Sequence, residues 1–513
     1  MLVTKTTKKP KEKVILSKNS AHWQNVQHQF GNVGGKNVVG DFGGGDVSDL
    51  GGLIELVPLI KKKGMFTEFA AKIAEWRQGP VKYSIEHLLL QRVGLIVAGY
   101  EDGNDSNFKR HDKALGTFLH MLTGNESVAS QGTISILEGS ITRETNFGLE
   151  CWFIQSYIEG LRERLKKKKR KAVVLDFDGA SSPVRGTQQG SAYHGHYEVT
   201  MYRPLFVNDD EGNLVIPLLR PGNASELWLT LPLIERLVAA LRKAIPGLAI
   251  TIRCDAGFND PKIYDWCEDN GVFYIMRLKG TGDNGGLWVS SKMVVEAAER
   301  RFRRRHKAPR YLHSRITKSK LEAGIKKLSR EKRNEKLTEL ETRVVRIFTE
   351  FMHQAGKGGK DKHNWRQKRR VLCVATYTDW GSQKAFFVTN ITHGNCDQLV
   401  HGLYNKRGNM ERNIEELKSL DCTRLSCQEF ESNQFRLFLH GLAYRLVTSV
   451  RNLLPASIQH WSMNSIRKHL ILLPVLIKET ARQIVFHWTS TCEWKREFHL
   501  LFRAIDRLPP LRS

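Results

Sequence analysis

The sequence predicts an α/β protein with helical flanks, on two observations. Short apolar runs of strand length, "AVVLDFD" (172–178), "LAITIRCD" (248–255) and "GVFYIMRL" (271–278), alternate with amphipathic stretches of helical period. Outside that middle part the chain reads as helices at both ends, preceded by a basic, Gly-rich arm.

Residues 1–80 form that arm and an irregular segment, with "GNVGGKNVVGDFGGGD" as its loosest stretch. Residues 81–165 read as a helical region. Ser84 is placed to cap a helix whose apolar residues recur at 85, 88, 89, 93, 96 and 97, and Gly99 is placed to stop it. A second helix is expected over "DKALGTFLHML" and a third over "TISILEGSITRE", with Thr133 as its N-cap. Two short helices around a Gly/Ser turn resemble a helix-turn-helix, and an ordinary helical bundle fits equally well.

Residues 166–280 carry the strands named above. Further strands are expected in "HYEVTMYRPLFV" and "NLVIPLL" around the turn "NDDEGN", and helices from about Ser225 to Ala244 and over "DPKIYDWCEDN". Residues 281–392 form a basic segment ending in the strands "RVLCVATYTDW" and "QKAFFVTN", and residues 393–513 read as helices from about Asp397 onward.

The 513 residues are enough for several domains. Charge narrows the partner. Eighty Lys and Arg against 53 Asp and Glu leave +27, much of it in "RERLKKKKRK" and "RRFRRRHKAPR". Such blocks suit a polyanion, and nucleic acid is the first expectation over a merely solvated linker. No apolar run is long enough for a membrane span, and no secretory leader is evident. The eight scattered cysteines contain no C-x-x-C. A reduced, cytoplasmic setting is therefore expected, without structural zinc.

The stretch "LYNKRGNMERNIEELKSL" (403–420) carries Tyr404, Arg407, Glu411 and Lys418. On an ideal helix these four fall within an arc of roughly 60°. A solvated face with an Arg–Glu pair explains them alone. Two strands supply the rival explanation, because they end in Asp176 and Asp178 and in Asp255, each run being followed by small residues. In α/β sheets ligands bind beyond the carboxyl ends of strands. Two strand-end aspartates and a helix-borne glutamate suit a pair of Mg²⁺ ions, with Arg407, Lys418 and Tyr404 on DNA phosphates beside them.

The spacing Y-x2-R-x3-E-x6-K, together with "GYEDGNDSNFKRHDKAL", "LDFDGAS", "QQGSAYHGHYEVTMYRPL", "LRPGNAS" and "IRCDAGF", resembles the DDE transposases of bacterial insertion sequences. The resemblance is to the "insertion sequence four"-like class and its thirteen-eighty group, from about Ile85 to the C-terminus. It implies a ribonuclease-H-like catalytic domain interrupted by a mainly β insertion (281–392), an N-terminal helical DNA-binding region and C-terminal helices. The implied triad, also the metal-ligand set, is Asp178, Asp255 and Glu411, with Asp176 as the alternative acid on the same strand face. Arg253 joins Tyr404, Arg407 and Lys418 in the expected DNA-binding set. In relatives a tryptophan of the insertion stacks on a flipped base; Trp380 and Trp288 are the candidates, against a plain core or surface role. His194, His196 and Gln189 fall in a matched stretch, where structural roles compete with DNA contacts.

The implied activity is DNA cleavage at transposon ends and strand transfer into target DNA, by a two-metal mechanism with Mg²⁺, or Mn²⁺ as substitute. The implied partners are double-stranded DNA, both terminal inverted repeats and target, and a second copy in a synaptic homodimer. A catalytically inactive repressor and a metal-dependent nuclease of the same fold are the rivals.

Overall fold

The structure is a computed structural model that describes residues 27–169, 171–195, 197–279, 286–306, 327–329, 331–335, 343–355, 364–378 and 381–509. Its centre is a mixed sheet of eight strands. In chain order these are β1 (Ala172–Gly179), β2 (Leu205–Asp209), β3 (Leu214–Leu218), β4 (Ala249–Cys254), β5 (Phe273–Leu278), β6 (Val344–His353), β7 (Arg369–Thr378) and β8 (Gly381–Thr389). They lie side by side as β6-β7-β8-β5-β4-β1-β2-β3. Strands β1, β4 and β5 run parallel, and all other neighbours are antiparallel.

The crossovers follow from the sequence. After β3 the helix Thr230–Ala244 buries Leu233, Ile234, Leu237, Val238 and Leu241 along one stripe before β4 begins. After β4 the helix Pro261–Asp269 starts with Asp260 as N-cap and a proline in its first turn. These two helices return the chain so that β4 and β5 both point their carboxyl ends the same way as β1.

The described part of the basic segment packs on and extends the central sheet. Its helix Gly286–His306 packs on β6 and β7. Strand β8 pairs with β5, from Ile275 opposite Thr389 to Leu278 opposite Phe386, so the three late strands widen the one sheet.

The helical region behaves largely as its caps dictate. Helix Ile85–Ala98 begins at Ser84, whose side chain accepts from the amide of His87, and ends at Gly99. The third helix starts earlier than expected: Ser130, not Thr133, is its N-cap, and it runs over Gln131–Gly139. Thr142 then caps a helix of 26 residues, Arg143–Lys168. The first basic block therefore ends a helix, where Lys166, Lys167 and Lys168 oppose the partial negative charge of the last turn.

Two segments depart from their expected form. Leu56–Lys63 and Met65–Ala70 are helices with buried Leu56, Leu59, Phe66 and Phe69, where an irregular segment was expected. Near the C-terminus, Val475–Glu479 and Ile484–Trp488 form a hairpin instead of helix, and Val475 pairs with Ser48 of the N-terminal region. Pro474 interrupts the helical pattern there, and the branched residues that follow favour strand. All eight cysteines are free thiols. Among the described residues no helix is long and apolar enough to cross a membrane.

Candidate active site

Register places the acids. Asp176 on β1 stands opposite Arg253 on β4, and Phe177 opposite Cys254. Side chains two apart share a face, so Asp178 and Asp255 form the next row outward, at the strand ends. The inner row is an ion pair buried on both sides: Arg253 donates from Nε to Oδ1 of Asp176 at 2.5 Å and from Nη2 to Oδ2 at 2.6 Å. Its remaining Nη1 donates to the carbonyl of Leu403. Arg253, expected among the DNA-binding residues, lies inside the protein with these donors directed at Asp176 and Leu403, and Asp176 is held by that pair.

The outer row is different. Asp178 accepts the amide of Gly179 on Oδ1 at 2.9 Å, and Asp255 accepts the amide of Gly257 at 2.8 Å. Over them lies the guanidinium of Arg407. Its Nη2 is 2.8 Å from Oδ2 of Asp178 and 4.0 Å from Oδ2 of Asp255, while Nη1 is 3.5 Å from Oε1 of Glu411. One cation therefore bridges all three carboxylates. Burial pushes the Asp178 carboxyl up to about 6 despite the opposing charge of Arg407, and Asp255 and Glu226 add to the rise.

The helix that carries Glu411 is not one regular helix. The chain winds as a π-helix over Gln398–Leu403, a 3-10 turn over Tyr404–Arg407, and an α-helix only from Gly408 to Lys418. A uniform 100° step does not hold across those changes of winding, and the expected polar stripe splits. Tyr404 turns inward and packs on Phe387 with ring centres 4.4 Å apart, and burial pushes its hydroxyl up to about 12. Arg407 is buried over the aspartates. Glu411 stands at the rim with its side chain 70% exposed. Lys418 pairs with Glu415 at 2.9 Å and contacts none of the three acids.

Gln189 plays a structural part. Its backbone bonds Gln428 and Tyr202, and its side chain accepts from the amide of Phe430. His194 packs against the ring of Tyr197, with ring centres 5.1 Å apart. Trp288 lies in the helix Gly286–His306, but its side chain is outside the described set. Trp380 and His196 also lie outside the described residues.

One residue at this site is not apparent from the sequence. Glu226 accepts from Arg220 Nη2 at 2.7 Å on Oε2 and from Arg203 on Oε1. It lies against both aspartate turns: a Cβ on Gly179 would come within 2.8 Å of its Oε2, and one on Gly257 within 2.8 Å of its Cγ. The glycine following Asp178 and the one two residues after Asp255 were the available signal.

No curated protein matches the chain. Among solved structures, the piggyBac transposase synaptic complex with hairpin DNA is similar at 12% identity and a TM-score of 0.38, covering 90% of this chain and 85% of that one. The family model for the transposase DDE domain, group 1, matches residues 30–510. With carboxylates gathered at the strand ends and nearly the whole length matched, this chain belongs to the DDE transposase domain family, group 1.

Proposed function

We propose that this protein cuts DNA at the ends of its own element and joins the freed ends to target DNA. The observation that carries the reading is the convergence of Asp178, Asp255 and Glu411, from two strands and a helix, on the single cation of Arg407. The order β3-β2-β1-β4-β5, antiparallel and then parallel with helices after β3 and β4, supports a ribonuclease-H-like catalytic domain. The ordered motifs support the "insertion sequence four"-like class.

The family works with divalent metal ions. Among the described residues no group of three or more His, Cys, Asp or Glu is drawn closely enough together to hold an ion as the chain stands. The donor chemistry nevertheless fits: three carboxylates offer hard oxygen ligands and already surround one positive charge. Asp178, Asp255 and Glu411 would hold the metal, with Mg²⁺ expected as a pair of ions and Mn²⁺ as substitute. Bound there, the ions would activate the attacking oxygen and stabilise the leaving one.

The chain's own residues do the rest. Arg407 offsets part of the carboxylate charge in the protein alone and is placed to meet a phosphate brought to them. Arg300, Arg301, Arg304 and Arg305 project from the helix Gly286–His306 and suit sequence-independent phosphate binding. The helical region 81–165 is the proposed reader of the terminal repeats, and pairing two ends calls for a homodimer.

The test uses labelled DNA from the flanks of the gene, with Mg²⁺ and a target plasmid. The wild-type chain is expected to cleave and join, and Asp255→Asn to bind the ends without cutting. Binding without cleavage by the wild type would instead make the protein a repressor, and cleavage without joining a nuclease.

A further inference from the structure

We infer that Glu226 is a positioning residue that sets the separation of Asp178 and Asp255 by packing against the glycine in each aspartate turn. The inference rests on the proposed catalytic use of those two acids. Its basis is a juxtaposition. β1 and β4 are neighbours through their backbones only as far as Phe177 and Cys254. Beyond that point the ladder between β1 and β4 stops: Asp178 is still held on its other side by β2, opposite Phe206, but Asp255 stands on the turn that follows β4. The β1–β4 ladder therefore does not itself tie Asp255 to Asp178.

Glu226 fills that place. Its carboxylate lies against Gly179, beside Asp178, and its methylenes lie against Gly257, beside Asp255. The side chain is itself held from both sides. Arg220 is buried and grips Glu226 by its Oε2 and by its backbone carbonyl at 2.9 Å. Arg203 holds Oε1 and, through Nη1, the carbonyl of Ala224 at 2.8 Å. Arg220 also donates to the carbonyl of Arg203 at 2.8 Å, which closes the cluster. With both oxygens engaged by arginines, Glu226 is a spacer and not a further metal ligand. Three residues on, Leu229 sits in the left-handed region at φ 58°.

The two glycines give the reason for the chain's choice of small residues there. Neither has a positive φ, so alanine is compatible with the backbone at both positions. The only obstacle to a Cβ at Gly257, apart from the oxygen of Asp255 itself, is Glu226.

The experiment measures Mn²⁺ affinity by calorimetry on the full chain bound to end DNA, alongside the Mg²⁺ concentration for half-maximal cleavage. Glu226→Ala is expected to weaken Mn²⁺ binding about tenfold and to raise the Mg²⁺ requirement equally, with end binding unchanged. Glu226→Gln, which keeps the volume, is expected to stay within about threefold of wild type. Gly257→Ala, which pushes the Asp255 turn off Glu226, is expected to weaken Mn²⁺ binding as Glu226→Ala does. Wild-type metal affinity in folded Glu226→Ala overturns the inference. If that variant fails to fold because two arginines lose their partner, wild-type affinity in Gly257→Ala overturns it. A wild-type chain that never cleaves refutes the proposed function instead, a separate outcome.

Discussion

The two aspartates and the glutamate of the proposed site stand on supports of different stiffness. Asp178 and Asp255 sit at the ends of adjacent parallel strands in the middle of an eight-stranded sheet, with their side chains 15% and 41% exposed. The Asp176–Arg253 pair lies beneath them and Glu226 beside them. Glu411, 70% exposed, rises from the first turn of an α-helix that follows π and 3-10 winding. The strand side is fixed by packing and ion pairs. The helix side is anchored at Tyr404 and Arg407, while the acid itself is free to adapt. In the proposed site the strand half is preorganised, and the exposed glutamate is the half expected to adjust to what is bound.

The strand side is expected to be indispensable. Asp178→Asn and Asp255→Asn are each expected to lower cleavage of a labelled end at least ~10³-fold, about 4 kcal/mol in the barrier. End binding should persist in a gel-shift assay, because affinity comes chiefly from Lys and Arg. Glu411→Gln should lose cleavage with an unchanged melting temperature, since its carboxylate is solvated. Near-normal cutting by any of the three removes that residue from the site.

Asp176→Asn separates the two acids that share a strand face. Arg253 would be left buried without its countercharge, and breaking a buried pair typically costs about 3–5 kcal/mol. Urea unfolding is therefore expected to show a large loss of stability, with cleavage per folded molecule largely retained. A stable Asp176→Asn variant that is dead in cleavage would exchange the roles of Asp176 and Asp178.

Much of this was legible in the sequence. The cap at Ser84, the stop at Gly99 and the strands ending in Asp178 and Asp255 follow from local patterns, and local patterns are what a sequence displays. Two things were not legible for a common reason. Arg407 turns inward because the winding changes between Leu403 and Gly408, and that change accompanies contacts from Arg253 and Phe387, which are distant in the chain. Glu226 is invisible as a site residue because its significance lies in touching Gly179 and Gly257 at once. The helices at Leu56–Ala70 were hidden by the Gly-rich stretch before them, although Leu56, Leu59, Phe66 and Phe69 are their buried anchors.

Arg407 links the two sides, and its removal sharpens their difference. Arg407→Ala takes away the one cation that, among the described residues, pairs with Asp178, Asp255 and Glu411 together. In chelator the melting temperature is expected to fall by several degrees, as like charges face one another without compensation. Added Mg²⁺ is expected to restore most of that loss, because an ion that binds only the folded state stabilises it by mass action. Arg407→Lys should fall between, since a point charge reaches fewer carboxylates than a planar fork. A melting temperature of Arg407→Ala that is equal to wild type in chelator would show that the bridge contributes nothing to the fold.

The smallest effect is expected at Lys418. It lies seven residues beyond Glu411 on the α-helix, about 10 Å along the axis. Its ammonium is paired with Glu415 across one turn. Exposed pairs of this kind are worth about 0.3–0.5 kcal/mol, so Lys418→Ala should leave the melting temperature nearly unchanged. As a peripheral phosphate contact it would release about one counterion, lowering the slope of log affinity against log salt by about 0.9. Cleavage at saturating DNA should then stay within about twofold of wild type, whereas Arg407→Ala should lower it at least tenfold. If Lys418→Ala cuts as poorly as Arg407→Ala when saturated, the lysine acts at the scissile phosphate, and the C-terminal turn of this helix must swing inward when DNA binds.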